Sequence, residues 1–281
     1  MRADLHSHSS ASDGTEPPAE VIRRAAAARL DAVALTDHDG GAGIAEAAAA
    51  LPPGLALIPG MELSCRRDGH SVHMLAYLFD PEHRGLAEQC EAIRQSRVER
   101  SKAMVAKLNE LGVPVTWEQV TSLAAGGVIG RPHIARAMVQ AGAIESPDEA
   151  FSPEWIGPGG RAHVRRYALD PAEAGGLVHA AGGAAVLAHP FAATRGWRVP
   201  ESLIADLATA GLDGVEVAHP DHGACEREQL AAVARELGLL ATGGSDDHGE
   251  LTGHRIGSEW TGQADLAALV GRATGTSVIT G

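Results

Sequence analysis

The sequence predicts an α/β fold in which βα units surround a parallel, barrel-like sheet. Short apolar runs recur along the chain, and Ala-rich helical stretches separate many of them. The 281-residue length suits one large barrel-sized domain carrying an insertion.

Taken in order, residues 2–5 form a first short strand and residues 18–29 an Ala-rich helix. Strands follow at 32–35 and 55–58, with a helix over 43–51 between them. A further strand lies at 72–78. The alternation then breaks from residue 85 to residue 160. That segment opens with a charged helix over 91–111, with Ile93, Met104, Leu108 and Leu111 facing inward, and Gly112-Val113-Pro114 stops it. Another helix covers 132–141, and Pro153, Pro158 and Gly159-Gly160 close the segment. The alternation resumes with strands at 184–188, 214–217 and 239–241 and helices over 203–210 and 226–237. A final helix and a short strand at 277–280 end the chain. The expected organisation is a barrel from residues 1–84 and 161–281, with a helical insertion at 85–160.

Composition excludes several classes. The net charge is −13, which disfavours duplex DNA as a partner. No apolar run reaches the length of a membrane span, and Met1-Arg2-Ala3-Asp4 starts no apolar leader, so a cytoplasmic location is expected. Cys65, Cys90 and Cys225 form no C-x-x-C pair and imply neither a disulfide framework nor a thiolate metal site. The oligomeric state is not encoded in any of these features. The 14 histidines are the anomaly.

Many of them lie just after predicted strands, in company with carboxylates. His6 and His8 follow the first strand two residues apart, so both rings face one side. Asp13 lies in the next loop, and Asp37-His38 follows the second strand. Glu62 follows the third, His189 follows strand 184–188, and Asp246 and His248 follow strand 239–241. His73 is the exception, because it begins its strand; an antiparallel element would account for that. Each position has an ordinary alternative: Asp13 as a turn residue, Asp246 as a helix cap, Glu62 as a paired buried acid. Recurrence at equivalent strand ends favours a shared site, because a parallel barrel gathers those ends on one face.

Six histidines and three carboxylates without a thiolate suit Mn²⁺, Fe²⁺ or Zn²⁺. Nine such groups exceed the coordination of one ion, so two or three ions are implied, with a carboxylate such as Glu62 bridging. A pocket so charged suits a phosphate ester.

Asp4-Leu5-His6-Ser7-His8-Ser9, Ser12-Asp13-Gly14, Leu35-Thr36-Asp37-His38-Asp39, Pro59-Gly60-Met61-Glu62, Val72-His73-Met74-Leu75, Ala188-His189-Pro190 and Gly244-Ser245-Asp246-Asp247-His248 together resemble the polymerase-and-histidinol-phosphatase (PHP) family. The resemblance implies a distorted (β/α)7 TIM-like barrel with a trinuclear metal centre, manganese first among the candidate metals. It assigns one ion to His6, His8, Glu62 and Asp246, a second to Asp13, His38 and His248, and a third to Glu62, His73 and His189. Asp246, His248 and His189 are then the candidate catalytic groups.

Gly130-Arg131-Pro132-His133-Ile134-Ala135 in the insertion resembles the subgroup containing ribonuclease AM and the nucleoside 3′,5′-bisphosphate phosphatases. That implies removal of a nucleotide 3′-phosphate, or 5′–3′ trimming of short 5′-phosphorylated RNA. It also implies an insertion that covers the metal site, with Arg131 and His133 as phosphate contacts; a guanidinium fork at a helix start suits that role. His163 departs from the subgroup, where a tyrosine is expected. Arg94, Arg97 and Arg100 share part of a helix face, His219 and His222 follow strand 214–217, and Arg195 and His254 lie in loops near the expected site. The competing expectations are a small-molecule phosphatase, such as one for histidinol phosphate, and a non-catalytic metal-binding module.

Overall fold

The computed structural model describes residues 1–124, 129–192 and 197–281; Arg195 lies outside them. Packing divides the chain into two compact units, Met1–Cys90 with Ala168–Gly281, and Glu91–Tyr167.

In the first unit, the described residues form one sheet of β1 (Ala3–Asp4), β2 (Ala32–Leu35), β3 (Ala56–Arg67), β4 (His70–Tyr77), β5 (Ala184–Leu187), β6 (Gly214–Ala218) and β7 (Leu240–Gly243), hydrogen-bonded in that order. The sheet nearly closes. Leu5 N–H donates to Gly243 O and Asp246 N–H to His6 O, and Ser7 and Asp247 form a parallel bridge. A last strand, β8 (Ile279–Thr280), adds antiparallel to β3. Helices α1 (Pro18–Ala27), α2 (Ile44–Ala49), α6 (Pro171–Ala180), α7 (Glu201–Thr209), α8 (Ala224–Leu237) and α9 (Gln263–Arg272) belong to this unit. This is the expected distorted seven-stranded α/β barrel.

Strand β2 shows why the sequence folds so. Ala32 and Ala34 join the core drawn from strands around the sheet, whereas Val33 and Leu35 pack with Val21, Ile22 and Ala25 of α1. Both faces are buried, so the strand reads as a continuous apolar run. Inward alanines leave room in the narrow interior, where Tyr77 donates its hydroxyl to Leu5 O at 2.8 Å.

Two expectations change here. The strand expected at 55–58 extends to Arg67, so Glu62 sits within β3 and not after it. Pro59-Gly60 resembles a turn in sequence, but here it is the point where β3 changes partner. Residues 56–59 pair parallel with β2, and residues 60–67 pair antiparallel with β4. Gly60 is required by proximity, since a Cβ there would stand 3.0 Å from Thr36 Cγ2 and 3.1 Å from Ala76 O. Strand β4 is antiparallel to both neighbours, so the sheet is mixed. Asp68 and Gly69, at φ 51° and 85°, form the two-residue turn that reverses the chain.

In the second unit, α3 (Arg84–Glu110) enters from the first, and α4 (Trp117–Ala124) and α5 (Arg131–Gln140) follow. Met104, Leu108, Val120, Ile134 and Met138 build its separate core. Ile93, Met104 and Leu108 are fully buried as expected, and Leu111 packs at the edge. Among the described residues, no helix is long and apolar enough to cross a membrane.

Candidate metal centre

The nine residues singled out in the sequence come together around Glu62. This carboxylate is 1% exposed, and its two oxygens face different histidines. Oε1 lies 2.7 Å from His73 Nδ1 and 3.0 Å from His189 Nε2. Oε2 lies 3.2 Å from His8 Nε2, 3.3 Å from His38 Nδ1 and 3.4 Å from His6 Nε2. Asp246 Oδ1 stands 3.3 Å from Nε2 of both His6 and His8. On the other side of His8, Asp13 lies 3.4 Å from His248 Nε2 and 3.5 Å from His38 Nε2.

These separations fit shared coordination. Ligand atoms about 2.1 Å from one ion stand roughly 3.0–3.4 Å from each other in octahedral or tetrahedral arrangements. His6 Nε2 and His8 Nε2 are 3.1 Å apart, with carboxylate oxygens on the same side. His8 Nδ1 is buried with no hydrogen-bond partner. Among the described residues, four groups have the geometry of a cation site: His6, His8, Glu62 and Asp246; His8, Asp13, His38 and His248; His38, Glu62 and His73; and His6, Glu216 and His219.

The outer nitrogens of several rings are fixed from behind. His6 Nδ1 donates to Glu216 Oε1 at 3.1 Å, and His248 Nδ1 to Asp246 O at 3.0 Å. A ring held this way turns its Nε2 lone pair toward the centre, the usual support of metal-ligating histidine.

Electrostatics follow from the crowding. Burial opposes charge on His6, but Glu216, Asp246 and Glu62 outweigh it and hold the imidazolium well above its usual range. Burial likewise opposes charge on His8, yet Asp246 and Glu62 push it up to about 10. Burial would raise Asp13, Glu62 and Asp246, but the surrounding imidazoles hold all three well below the carboxylate range. Without cations, the pocket balances its carboxylates with protons on His6 and His8.

Local backbone explains the aim of two side chains. His189 and Asp246 have φ of 27° and 49°, the left-handed region that non-glycine residues avoid. His189 also precedes a proline, which disfavours that conformation further. Such positions cost about 1–3 kcal/mol each and persist where surrounding contacts impose them. Here the contacts are His189 N–H to Glu216 Oε2 at 2.8 Å and Asp246 N–H to His6 O at 2.8 Å.

The sequence left three participants unassigned. Glu216 is an acid inside the apolar run Gly214–Ala218, and that placement was the available signal. Asp4 accepts amides from His6, Ser245 and Gly257 and so ties β1 to the loops after β7. Arg255 donates to Asp246 O at 3.0 Å. His219, noted in the sequence, stands 3.3 Å from Asp246 Oδ2, and His222 Nε2 accepts from Phe191 N–H. His254 lies 3.7 Å from Glu16 Oε1, outside the cluster.

Arg131 and His133 belong to the second unit. Arg131 opens α5 with its guanidinium 5.5 Å from the Phe151 ring centroid, and His133 Nδ1 accepts from Gly130 N–H at 3.0 Å.

Comparison with known proteins agrees with this chemistry. The PHP-domain family model matches residues 4–131. A 3′,5′-nucleoside bisphosphate phosphatase of Chromobacterium violaceum is 37% identical, over 90% of this chain and 89% of that one. A 5′-3′ exoribonuclease of Haemophilus influenzae is 36% identical, over 87% and 89%. The crystal structure of a candidate metal-dependent phosphoesterase from Bifidobacterium adolescentis superposes with a TM-score of 0.84 at 32% identity, covering 97% of this chain and 96% of that one. With the donor cluster and the barrel in agreement, the chain belongs to the PHP family and is a metal-dependent phosphoesterase.

Proposed function

We propose that the protein removes the 3′-phosphate from nucleoside 3′,5′-bisphosphates, trims short 5′-phosphorylated RNA from its 5′ end, or does both. The observation that carries this reading is the Glu62-centred donor set, held in a chain aligned over 87–90% of its length with relatives of those two activities.

The donor set fits three divalent ions, with Mn²⁺ the first choice and Fe²⁺ or Zn²⁺ the others. His6, His8, Glu62 and Asp246 would hold one; Asp13, His38 and His248 a second; Glu62, His73 and His189 a third. Bound ions supply positive charge that neutralises phosphoryl oxygens and acidifies the attacking water.

The chain's own groups do the rest. His6, His8, Glu62 and Asp246 are at most 2% exposed and form the floor. Asp13 at 39%, His248 at 16% and His73 at 15% form the accessible side, from which a phosphate ester approaches. Asp246, His248 and His189 are the candidate catalytic groups of this reading, lining the pocket where the attacking water and the phosphate would sit. Arg131 and His133 of the insertion would be the contacts for a second phosphate. Glu91–Tyr167 carries ten Lys and Arg against eight Asp and Glu, within a chain of net charge −13, so this unit alone favours an anion.

The test compares kcat/KM for adenosine 3′,5′-bisphosphate, short 5′-phosphorylated RNA and histidinol phosphate with Mn²⁺ supplied. Preference for either nucleotide substrate supports the reading; preference for histidinol phosphate rejects it. A metal-loaded protein inert to all three would favour the non-catalytic module.

A further inference from the structure

Glu216 stands behind two different parts of the metal centre. It lies on β6 and is 1% exposed. Oε1 accepts a hydrogen bond from His6 Nδ1 at 3.1 Å, and Oε2 accepts one from the backbone N–H of His189 at 2.8 Å. We propose that Glu216 is a positioning residue that sets the His6 tautomer and the His189 backbone together, and so couples two of the three ion positions. The proposal rests on the reading of His6 and His189 as metal ligands.

The argument is one of donors and acceptors. His6 faces Glu62, Asp246 and His8 through Nε2, so ligation needs that nitrogen bare and the proton on Nδ1. A carboxylate behind Nδ1 enforces that tautomer, because it has no proton to donate in return. His189 needs a different service. Its φ of 27° is strained and precedes a proline, so an acceptor for its amide must hold it there. One carboxylate meets both needs only because it has two acceptor oxygens.

The group formed by His6, Glu216 and His219 also has the shape of a cation site. Its use as one would strip the Nδ1 proton from a ring whose Nε2 already faces the central carboxylates. Both Glu216 oxygens are also engaged, by His6 and His189. Positioning accounts for these contacts without that cost.

Glu216→Gln separates the two services. Glutamine keeps the shape but has a single carbonyl oxygen. If that oxygen serves the His189 amide, the NH₂ group faces His6 Nδ1, donates to it and drives the proton to Nε2. If it serves His6, the NH₂ group meets the His189 N–H, donor against donor. One ion position loses its support in either orientation.

The experiment loads wild-type protein and Glu216→Gln with Zn²⁺ as a diamagnetic probe. It measures stoichiometry and affinity by competition with a chromophoric chelator, and reads histidine tautomers by ¹⁵N NMR. Thermal unfolding of both cation-free proteins controls for folding. The expected result is a loss of about 10–100-fold in affinity at one or two sites. The Asp13–His38–His248 site should stay filled, and the His6 or His189 signals should change. Glu216→Ala should weaken both affected sites together. Wild-type affinities and unchanged ¹⁵N shifts in Glu216→Gln would overturn the proposal, as would equal weakening of all sites. A wild-type protein that bound no zinc would instead overturn the ligand reading beneath it.

Discussion

His73 Nδ1 lies 2.7 Å from Glu62 Oε1 because β4 runs antiparallel to β3. Glu62 pairs with Leu75 and Ser64 with His73, so Glu62 and His73 are diagonal neighbours on one face. A parallel strand in that place would have carried the histidine toward the opposite rim. The antiparallel strand therefore brings a strand-starting residue to the same centre as residues that follow strands.

Glu62 joins the whole centre, so its removal should be the most damaging single change. Glu62→Gln is expected to lower kcat/KM by about 100-fold or more and to reduce bound metal. Measuring metal content beside activity checks this; full metal content with full activity would refute the bridging role.

The depressed carboxylates and raised histidines give the cation-free protein a definite pH dependence. Asp13, Glu62 and Asp246 have folded pKa values below their ordinary 3.8–4.5, so their contribution is present above that range and lost as pH falls through the folded values. His6 and His8 are raised above 6.5, so their contribution is full below 6.5 and fades as pH rises, for His8 through about 10. From this cluster, cation-free stability should be greatest between about pH 4.5 and 6.5. Bound ions displace the histidine protons, so metal affinity should rise with pH and binding should release protons. Thermal unfolding across pH with and without Mn²⁺ checks both signs; stability of the cation-free form rising steadily from pH 6.5 to 10 would contradict them.

Gly244 lies against the backbone that carries His6. A Cβ there would stand 2.4 Å from His6 Cβ and 2.5 Å from His6 N, so something must move. Gly244→Ala is expected to cost about 1–3 kcal/mol and to weaken the ion held by His6. Chemical denaturation and metal content measure the two effects.

Arg131 is expected to serve a second phosphate. Arg131→Ala should lower kcat/KM for adenosine 3′,5′-bisphosphate about 10–100-fold while leaving a simple aryl phosphate little changed. Lysine should restore only part of the loss, because it lacks the planar fork. Equal loss on both substrates would point to a structural role.

Much of this was legible in the sequence, for identifiable reasons. Strand β2 and the positions of His6, His8, His38, His189, Asp246 and His248 follow from short buried runs ended by polar residues. The long β3 was obscured because Pro59-Gly60 resembles a turn, and only the partner change shows its purpose. Asp68-Gly69 carried the hairpin signal that explains His73. Glu216 and Asp4 were hidden because their partners are backbone amides and ring nitrogens distant in sequence. Spacing cannot reveal a residue whose work lies behind a ligand.

Anomalous diffraction from crystals grown with Mn²⁺, collected on both sides of the manganese edge, tests the central claim most directly. The account predicts three peaks among His6, His8, Asp13, His38, Glu62, His73, His189, Asp246 and His248, with Glu62 between two of them. Absence of manganese from that pocket in a crystal of catalytically active protein would contradict it.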